Sequence, residues 1–204
     1  MYEEGRGVSQ DAAEAAEWVR KAAEQGYAPA QSNLGAMYEE GRGVAEDDAK
    51  AVEWYRKAAE QGLAIAQSNL GLMYEEGKGV SEDDAKAVEW YRKAAEQGNA
   101  IAQSNLGLMY EKGRGVGQNH AKAVEWYLKA AEQGNAGGQY NLGLMYEKGE
   151  GVAQNYSKAV EWYRKAAEQG DAEAQFFLAT MYEEGDGVSQ DHAKAVEWYR
   201  KAAE

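Results

Sequence analysis

The chain has 204 residues, of which 44% are hydrophobic, and its 22 Lys and Arg against 35 Asp and Glu give a formal net charge of −13. This charge excludes the basic surface that binding to nucleic acid or to an anionic membrane requires. The chain has no cysteine, which excludes disulfide bonds and thiolate metal sites. No apolar stretch approaches the roughly 20 residues that span a bilayer, so we expect no membrane insertion.

A period of 36 residues runs through the whole chain. The tryptophans follow one another at this spacing, at Trp18, Trp54, Trp90, Trp126, Trp162 and Trp198. A fixed period of this length indicates one supersecondary unit repeated in tandem, so we predict a single solenoid over 1–204. Its units are a partial N-terminal repeat at 1–26, full repeats at 27–62, 63–98, 99–134 and 135–170, and a last repeat at 171–204 without a polar capping unit.

Each repeat is predicted to form two helices, which we call helix A and helix B. In repeat 27–62, helix A runs from about Ala28 to Glu40 and ends at a Gly-X-Gly turn, because glycine suits the left-handed position after a helix. Helix B follows an Asx residue, a strong N-cap, and ends before Gly62. This N-cap position recurs as Asp11, Asp47, Asp83, Asn119, Asn155 and Asp191.

The two helices have different faces. Helix B is amphipathic, with an apolar side that includes Trp54 and Tyr55 and a charged side that we expect to be solvated. We expect the tryptophans to fill the space between paired helices. Helix A carries a glycine at its middle, such as Gly71, where glycine costs about 1 kcal/mol relative to alanine. That glycine indicates a close helix–helix approach, with Trp and Tyr side chains nearby.

These residues match a known pattern. Repeat 63–98 reads A-x-A-x-x-x-L-G-x-M-Y-x-x-G-x-G-V and then D-x-x-K-A-x-x-W-Y-x-K-A-A-E-x-G. The pattern resembles the Sel-1-like repeat, a relative of the tetratricopeptide repeat, over essentially the whole chain. The resemblance implies an all-α fold, an α/α right-handed superhelical solenoid with helix A on the concave surface and helix B on the convex one. It also implies an adaptor or scaffold for proteins or peptides, most often in bacteria.

The face of helix A opposite its core side is the candidate partner-binding surface. On this face the near-identical repeats diverge, and apolar residues occupy positions where water is expected. The candidate residues are Ile65, Ser68, Leu72, Ile101, Ser104, Leu108, Tyr140, Leu144 and Phe176. Exposed apolar strips usually mark interaction sites, although neighbouring A helices burying this surface against one another is the open alternative.

An acidic edge lies at the C-terminal end of helix A, where carboxylates oppose the helix dipole. Glu75 and Glu76 are its candidate binding residues, for a basic peptide with apolar anchors. The alternative is that these charges serve solubility. The edge comprises Glu3, Glu4, Glu39, Glu40, Glu75, Glu76, Glu111, Glu147, Glu183 and Glu184, interrupted by Lys112 and Lys148.

Catalytic motifs are missing from the sequence. His120 and His192 lie two repeats apart, and neither a Ser-x-x-Lys motif nor a phosphate-binding glycine loop is present. We therefore expect no catalytic residue, no metal site and no cofactor. Some members of the similar family carry a cysteine pair in each repeat and have been described as β-lactamase-like. The lack of cysteine removes the support for such a hydrolase here.

Two functional hypotheses remain. The leading one is a non-catalytic scaffold that binds a peptide or protein in the concave groove lined by the A helices. The alternative is a structural protein that self-associates end to end, because solenoid ends without polar caps can stack in a heterologous contact. The sequence does not decide between a cytoplasmic and a periplasmic location, since a targeting segment is absent from this chain.

Overall fold

The computed structural model describes residues 11–204, and within this range the chain forms eleven α-helices and no strand. The B helices are α1 (Ala12–Glu24), α3 (Asp48–Glu60), α5 (Asp84–Glu96), α7 (His120–Glu132), α9 (Tyr156–Glu168) and α11 (His192–Ala202). The A helices are α2 (Ala28–Glu40), α4 (Ala64–Glu76), α6 (Ala100–Lys112), α8 (Ala136–Lys148) and α10 (Ala172–Glu184). The predicted all-α fold of helix-turn-helix repeats is confirmed. Glu3 and Glu4 lie outside the described residues, as does the first part of the repeat predicted at 1–26.

The chain divides into two compact units, with the boundary after Asn99. In unit 1, which ends at Asn99, α2 packs on α3 and α4 packs on α5, while α1–α2 and α3–α4 contacts join successive repeats. In unit 2, from Ala100 to Glu204, α6 packs on α7, α8 on α9 and α10 on α11. Contacts of α7 with α8 and of α9 with α10 join the repeats there. The single solenoid and its handedness stay predictions.

The Gly-X-Gly turn between helix A and helix B is required for two separate reasons. Gly77 ends α4 at a φ of 67°, in the left-handed region that favours glycine. Gly79 also has a positive φ, of 65°, and a β-carbon at this residue would lie 2.2 Å from the carbonyl oxygen of Asp48 in the preceding B helix. The second glycine therefore allows two backbones to touch, and it sets the distance between successive repeats in unit 1.

The tyrosine of helix B fills the space between the paired helices. Tyr91 is fully buried, and a β-carbon at Gly71 would lie 2.7 Å from its ring. The same arrangement places Tyr55 on Gly35, Tyr127 on Gly107 and Tyr163 on Gly143. The close approach predicted from the mid-helix glycines is thus confirmed for tyrosine.

The expectation that the tryptophans fill this space was wrong. Trp18 is 57% exposed, and the equivalent residues in the other repeats are half-buried. A lysine three residues later covers each ring, as Lys93 Nζ does at 3.8 Å from the centre of the Trp90 ring. Because Trp and Tyr are adjacent on the helix, only one of them points between the helices, and the tryptophan lies at the solvent boundary.

Buried glutamines connect the repeats. The Gln67 amide nitrogen in α4 donates to the Ala59 carbonyl of α3 at 3.1 Å, and Gln97 donates to the Gln67 side-chain oxygen at 2.7 Å. In unit 2, Gln139 donates to the Ala131 carbonyl at 3.1 Å, and Gln169 donates to Gln139 at 2.7 Å. Each bond satisfies a buried polar group, so the glutamines fix the register of one repeat on the next.

Candidate functional site

The predicted binding residues lie on α4 in unit 1 and on α6, α8 and α10 in unit 2. Ile65, Ile101 and Phe176 are the exposed members, at 54%, 60% and 51%. The half-buried members are Leu72, Leu108, Tyr140 and Leu144. The apolar face of the A helices is therefore neither fully open nor fully buried.

Two members of the predicted set are not on the surface. Ser68 is 5% exposed and Ser104 is 7% exposed, so neither can offer a partner a contact without rearrangement. The helical wheel placed both on the open face, and this placement was wrong. The reason is that helix A is covered on more than one side: α4 contacts both α3 and α5, and α6 contacts both α7 and α8.

An apolar depression lies between α2 and α4 in unit 1. It has a volume of about 310 Å³ and is lined by Pro29, Ser32, Asn33, Ala36, Leu63, Ile65 and Asn69. The Asn69 side chain hydrogen-bonds the hydroxyl of Tyr55, so one of its polar wall groups is held by the core. A depression of this size and lining can take an apolar side chain of another molecule.

The acidic edge has a structural explanation that the sequence analysis missed. The Tyr91 hydroxyl donates to Glu75 at 2.7 Å, and the Tyr127 hydroxyl donates to Glu111 at 2.8 Å. The corresponding bonds from Tyr55 to Glu39 and from Tyr199 to Glu183 measure 2.6 and 2.7 Å. The signal was present as a Glu and a Tyr 16 residues apart in each repeat from 27–62 onwards, whereas the first repeat has Val19 at the tyrosine position.

Both predicted binding carboxylates have partners within the chain. Glu75 accepts the hydroxyl of Tyr91, and Glu76 pairs with Lys78 at 2.6 Å. Glu75 is half-buried, whereas Glu76 and Lys78 are exposed, and an exposed pair contributes little to stability. The carboxylates of Glu75 and Glu76 can therefore contribute to a negative surface, but a partner would compete with their existing contacts.

The interior tyrosines are held in the neutral form. Burial, together with the neighbouring carboxylate, raises the pKa of the Tyr55, Tyr127 and Tyr163 hydroxyls far above their ordinary value of 10.0. A neutral hydroxyl can donate to a carboxylate, whereas a phenolate beside the same carboxylate would be repelled. The tyrosines are thus hydrogen-bond donors in the structure, and their hydroxyls do not ionise near neutral pH.

An aromatic cluster, consisting of Tyr140, Tyr163, Phe176, Phe177 and Tyr199, distinguishes the A-helix face of unit 2. Phe177 stacks on Tyr163 with ring centres 5.6 Å apart, and Tyr140 lies 5.8 Å from Phe177. Phe176 meets Phe177 edge to face at 5.9 Å and lies 5.3 Å from Tyr199. Sequence analysis named Tyr140 and Phe176 but missed Tyr163, Phe177 and Tyr199, which only the fold brings beside them.

Carboxylates surround this cluster. Burial, followed by the charges of Glu173, Asp171 and Glu147, raises the pKa of Tyr140 to about 12. Asp171 also caps α10, where its side chain accepts the Ala174 backbone N–H at 2.8 Å. Helix α10 itself carries three glutamates and no basic residue, so these charges make the electrostatic potential at the cluster negative.

Groups that could hold a metal are not assembled in the part of the chain that the structure describes. Within residues 11–204, no three His, Asp or Glu side chains come together as a metal site. His120 lies 3.6 Å from Glu150, and His192 is exposed on another repeat. Among the described helices, none is long and apolar enough to cross a bilayer.

The uniform interior and 36-residue period define a helix-turn-helix repeat protein with variable residues on its A helices. A model of the Sel1 repeat matches residues 1–27, 28–63, 64–99, 100–135, 136–171 and 172–204. The chain belongs to the Sel1 repeat family. A search among proteins of curated function gives no match.

Solved structures from bacteria share this fold. A protective antigen present in uropathogenic Escherichia coli strains is 47% identical over 99% of this chain, with a TM-score of 0.91, and this chain spans 43% of that protein's length. A Sel1 repeat protein from Oxalobacter formigenes is 39% identical over 96% of this chain and 83% of its own, with a TM-score of 0.84. An immunity protein from Pseudomonas aeruginosa is 25% identical over 99% of this chain and 79% of its own, with a TM-score of 0.63.

Proposed function

We propose that this protein is a non-catalytic scaffold that binds a protein or peptide segment on the exposed faces of its A helices. The proposal rests on one observation. The interior residues are almost the same in each repeat, whereas apolar residues at variable positions on these faces are exposed to solvent. Ile65 and Ile101 are each more than half exposed, and Ile65 borders the depression between α2 and α4. Exposed apolar surface of this kind is typical of interaction sites.

The relatives support the same class of function. One is named an immunity protein and another a protective antigen, and the first of these names points to a protein partner. The concave groove, its occupant and the part taken by Glu75 and Glu76 belong to the proposal. Because these carboxylates have partners within the chain, the apolar residues carry more of the expected affinity.

Selection of binding peptides from a random library, with the wild-type chain as bait, tests the proposal. A peptide that binds wild type should bind either the Ile65→Asp or the Ile101→Asp variant, according to the unit that it contacts, at least about tenfold more weakly, because a buried carboxylate replaces an apolar contact. Glu89→Ala is the matched control, since Glu89 is exposed on helix B. Circular dichroism verifies that all variants are folded.

Peptides that depend on the same isoleucine should compete with one another. Peptides whose affinity is unchanged by both aspartate substitutions would contradict the proposal. Exposure is the reason for choosing these two isoleucines. Leu72 and Leu108 are half-buried, so an aspartate at either position would also disturb packing.

A further inference from the structure

The aromatic cluster of unit 2 is a set of packed rings with one ring exposed to solvent. Tyr163 is fully buried, Phe177 and Tyr140 are half-buried above it, and Phe176 is the exposed ring at the top. Ring contacts of 5.3 to 5.9 Å hold these side chains against one another. Phe176 is therefore presented in a fixed orientation, which lowers the entropy cost of binding to it.

The aromatic cluster departs from the repeat pattern. Tyr140 and Phe176 stand where the earlier repeats have Ser68 and Ser104, and Phe177 stands where they have Asn69. The interior does not require these rings, because those repeats fold with the small residues. The extra aromatic area is thus added to the A-helix face of α8 and α10.

Several rings elsewhere in this protein carry a cation, among them the half-buried Trp198 and the buried Tyr182. Lys201 Nζ lies 4.0 Å from the centre of the Trp198 ring, and Lys194 Nζ lies 5.3 Å from the Tyr182 ring. Within residues 11–204, no Lys or Arg occupies that position over Phe176, Tyr140 or Tyr199. The cluster has instead a carboxylate neighbour, since Glu173 lies three residues before Phe176 on the same face of α10.

We propose that the aromatic cluster of unit 2 binds an arginine side chain of a basic peptide segment, with the guanidinium stacked on Phe176 and paired with Glu173. Arginine fits better than lysine because its planar guanidinium stacks on a ring and can also donate to a carboxylate. The negative potential around α10 attracts such a basic segment and repels an acidic one. This inference rests on the proposed function in locating partner contacts on the A helices, and it names their chemistry in unit 2.

The probe is the acetylated and amidated pentapeptide Gly-Gly-Arg-Gly-Gly, compared with the same peptide containing citrulline, the neutral analogue of arginine. Binding is followed by NMR. An arginine over a ring face should show upfield shifts of its side-chain methylene protons, and the Phe176 ring signals should move in the same titration. The citrulline peptide should bind about two- to fivefold more weakly, because it lacks the charge.

Four variants test the proposal, and the first of them is a substitution that the chain itself contains at the equivalent position of other repeats. Phe176→Ser introduces the residue of the earlier repeats, and it should abolish the upfield shifts and weaken binding about two- to fivefold. Phe176→Trp should retain them. Glu173→Gln should weaken binding about twofold. Glu161→Gln, an equal charge change on the exposed side of α9, should have no effect.

Three outcomes would overturn this proposal. They are equal binding of the arginine and citrulline peptides, unchanged binding by Phe176→Ser, and no binding of the arginine peptide to wild type. The peptide selection with Ile65→Asp and Ile101→Asp is a separate measurement. Loss of affinity there with no arginine binding here rejects only the cluster, whereas unchanged affinity there rejects the proposed function.

Discussion

Repeat 63–98 and repeat 171–204 make similar interior contacts but differ in the residues on the A-helix face. In both, the tyrosine of helix B donates to a glutamate of helix A at 2.7 Å, and a glutamine donates to the preceding B helix at 3.1 Å. The face of the first has Ser68 and Asn69, whereas that of the second has Phe176 and Phe177. The interior contacts constrain residue type, so the differences accumulate where packing permits them.

One interior position also differs between these repeats. Gly71 lies under the fully buried ring of Tyr91, whereas Ala179 occupies the equivalent position and Tyr199 is half-buried. A methyl group is thus compatible with the last repeat, where the ring is less confined. The comparison separates two kinds of variation, one that follows from looser packing and one that adds aromatic surface.

The largest expected effect comes from ionising the shared interior. The pKa values of Tyr55, Tyr127 and Tyr163 are raised in the folded chain but return to about 10 on unfolding. Their contribution is therefore complete below pH 10 and is lost as the pH rises above it, because the unfolded chain releases the protons first. At pH 11 the free energy of unfolding should fall by about 4 kcal/mol, as measured by urea unfolding.

Tyr127→Phe is the control for this alkaline loss. The variant should be less stable at neutral pH, because Glu111 loses a hydrogen bond, yet it should recover about 1.4 kcal/mol of the loss at pH 11. An alkaline loss identical to that of wild type would show that Tyr127 is not the titrating group.

Breaking the close backbone approach should have the next largest effect. Gly79→Ala introduces a β-carbon 2.2 Å from the Asp48 carbonyl at a positive φ, and it should cost about 3 kcal/mol. Gly62→Ala has a positive φ but no atom within 4 Å, so it should cost only about 1 kcal/mol. Chemical denaturation of both variants checks this, and equal costs would contradict the role given to contact between the backbones.

The buried glutamines of the two repeats differ in the number of hydrogen bonds that they make. Gln67→Leu removes two hydrogen bonds, one to Ala59 and one from Gln97, and should cost about 2 kcal/mol. Gln175→Leu removes the bond to Ala167, and the second bond has no counterpart there within residues 11–204, so about 1 kcal/mol is expected. The difference in unfolding free energy between the variants is the measurement, and a larger cost at Gln175 would contradict the scheme.

The smallest expected effect lies at the solvent boundary. Lys93→Gln removes the ammonium group over Trp90 and should cost about 0.5 kcal/mol, together with a change in tryptophan fluorescence. Lys57→Gln at Trp54 should give the same value, since the pair has the same geometry at 3.9 Å. A cost above about 2 kcal/mol at either site would mean that the tryptophans are part of the core after all.

The repeat pattern predicted most of the fold and less of the site. The N-cap positions were correct, since Asp47 and Asn119 each accept the backbone N–H three residues later, as do their equivalents. These features are local, so sequence spacing is sufficient to find them. The site was predicted less well, because Ser68 and Ser104 are buried and Phe177 was overlooked. Burial on helix A depends on several neighbouring helices, which no single helical wheel includes.

Sequence spacing alone was sufficient to predict the 36-residue period, the two helices of each repeat and their caps, because each of these depends on residues close along the chain. The packing of the helices, which the spacing does not show, places Tyr91 rather than Trp90 between them and brings its hydroxyl to Glu75. It also decided which variable side chains meet, as Tyr140 and Phe177 do. These outcomes depend on the rotation of one helix against its neighbours, which is fixed by packing across repeats rather than by any local propensity.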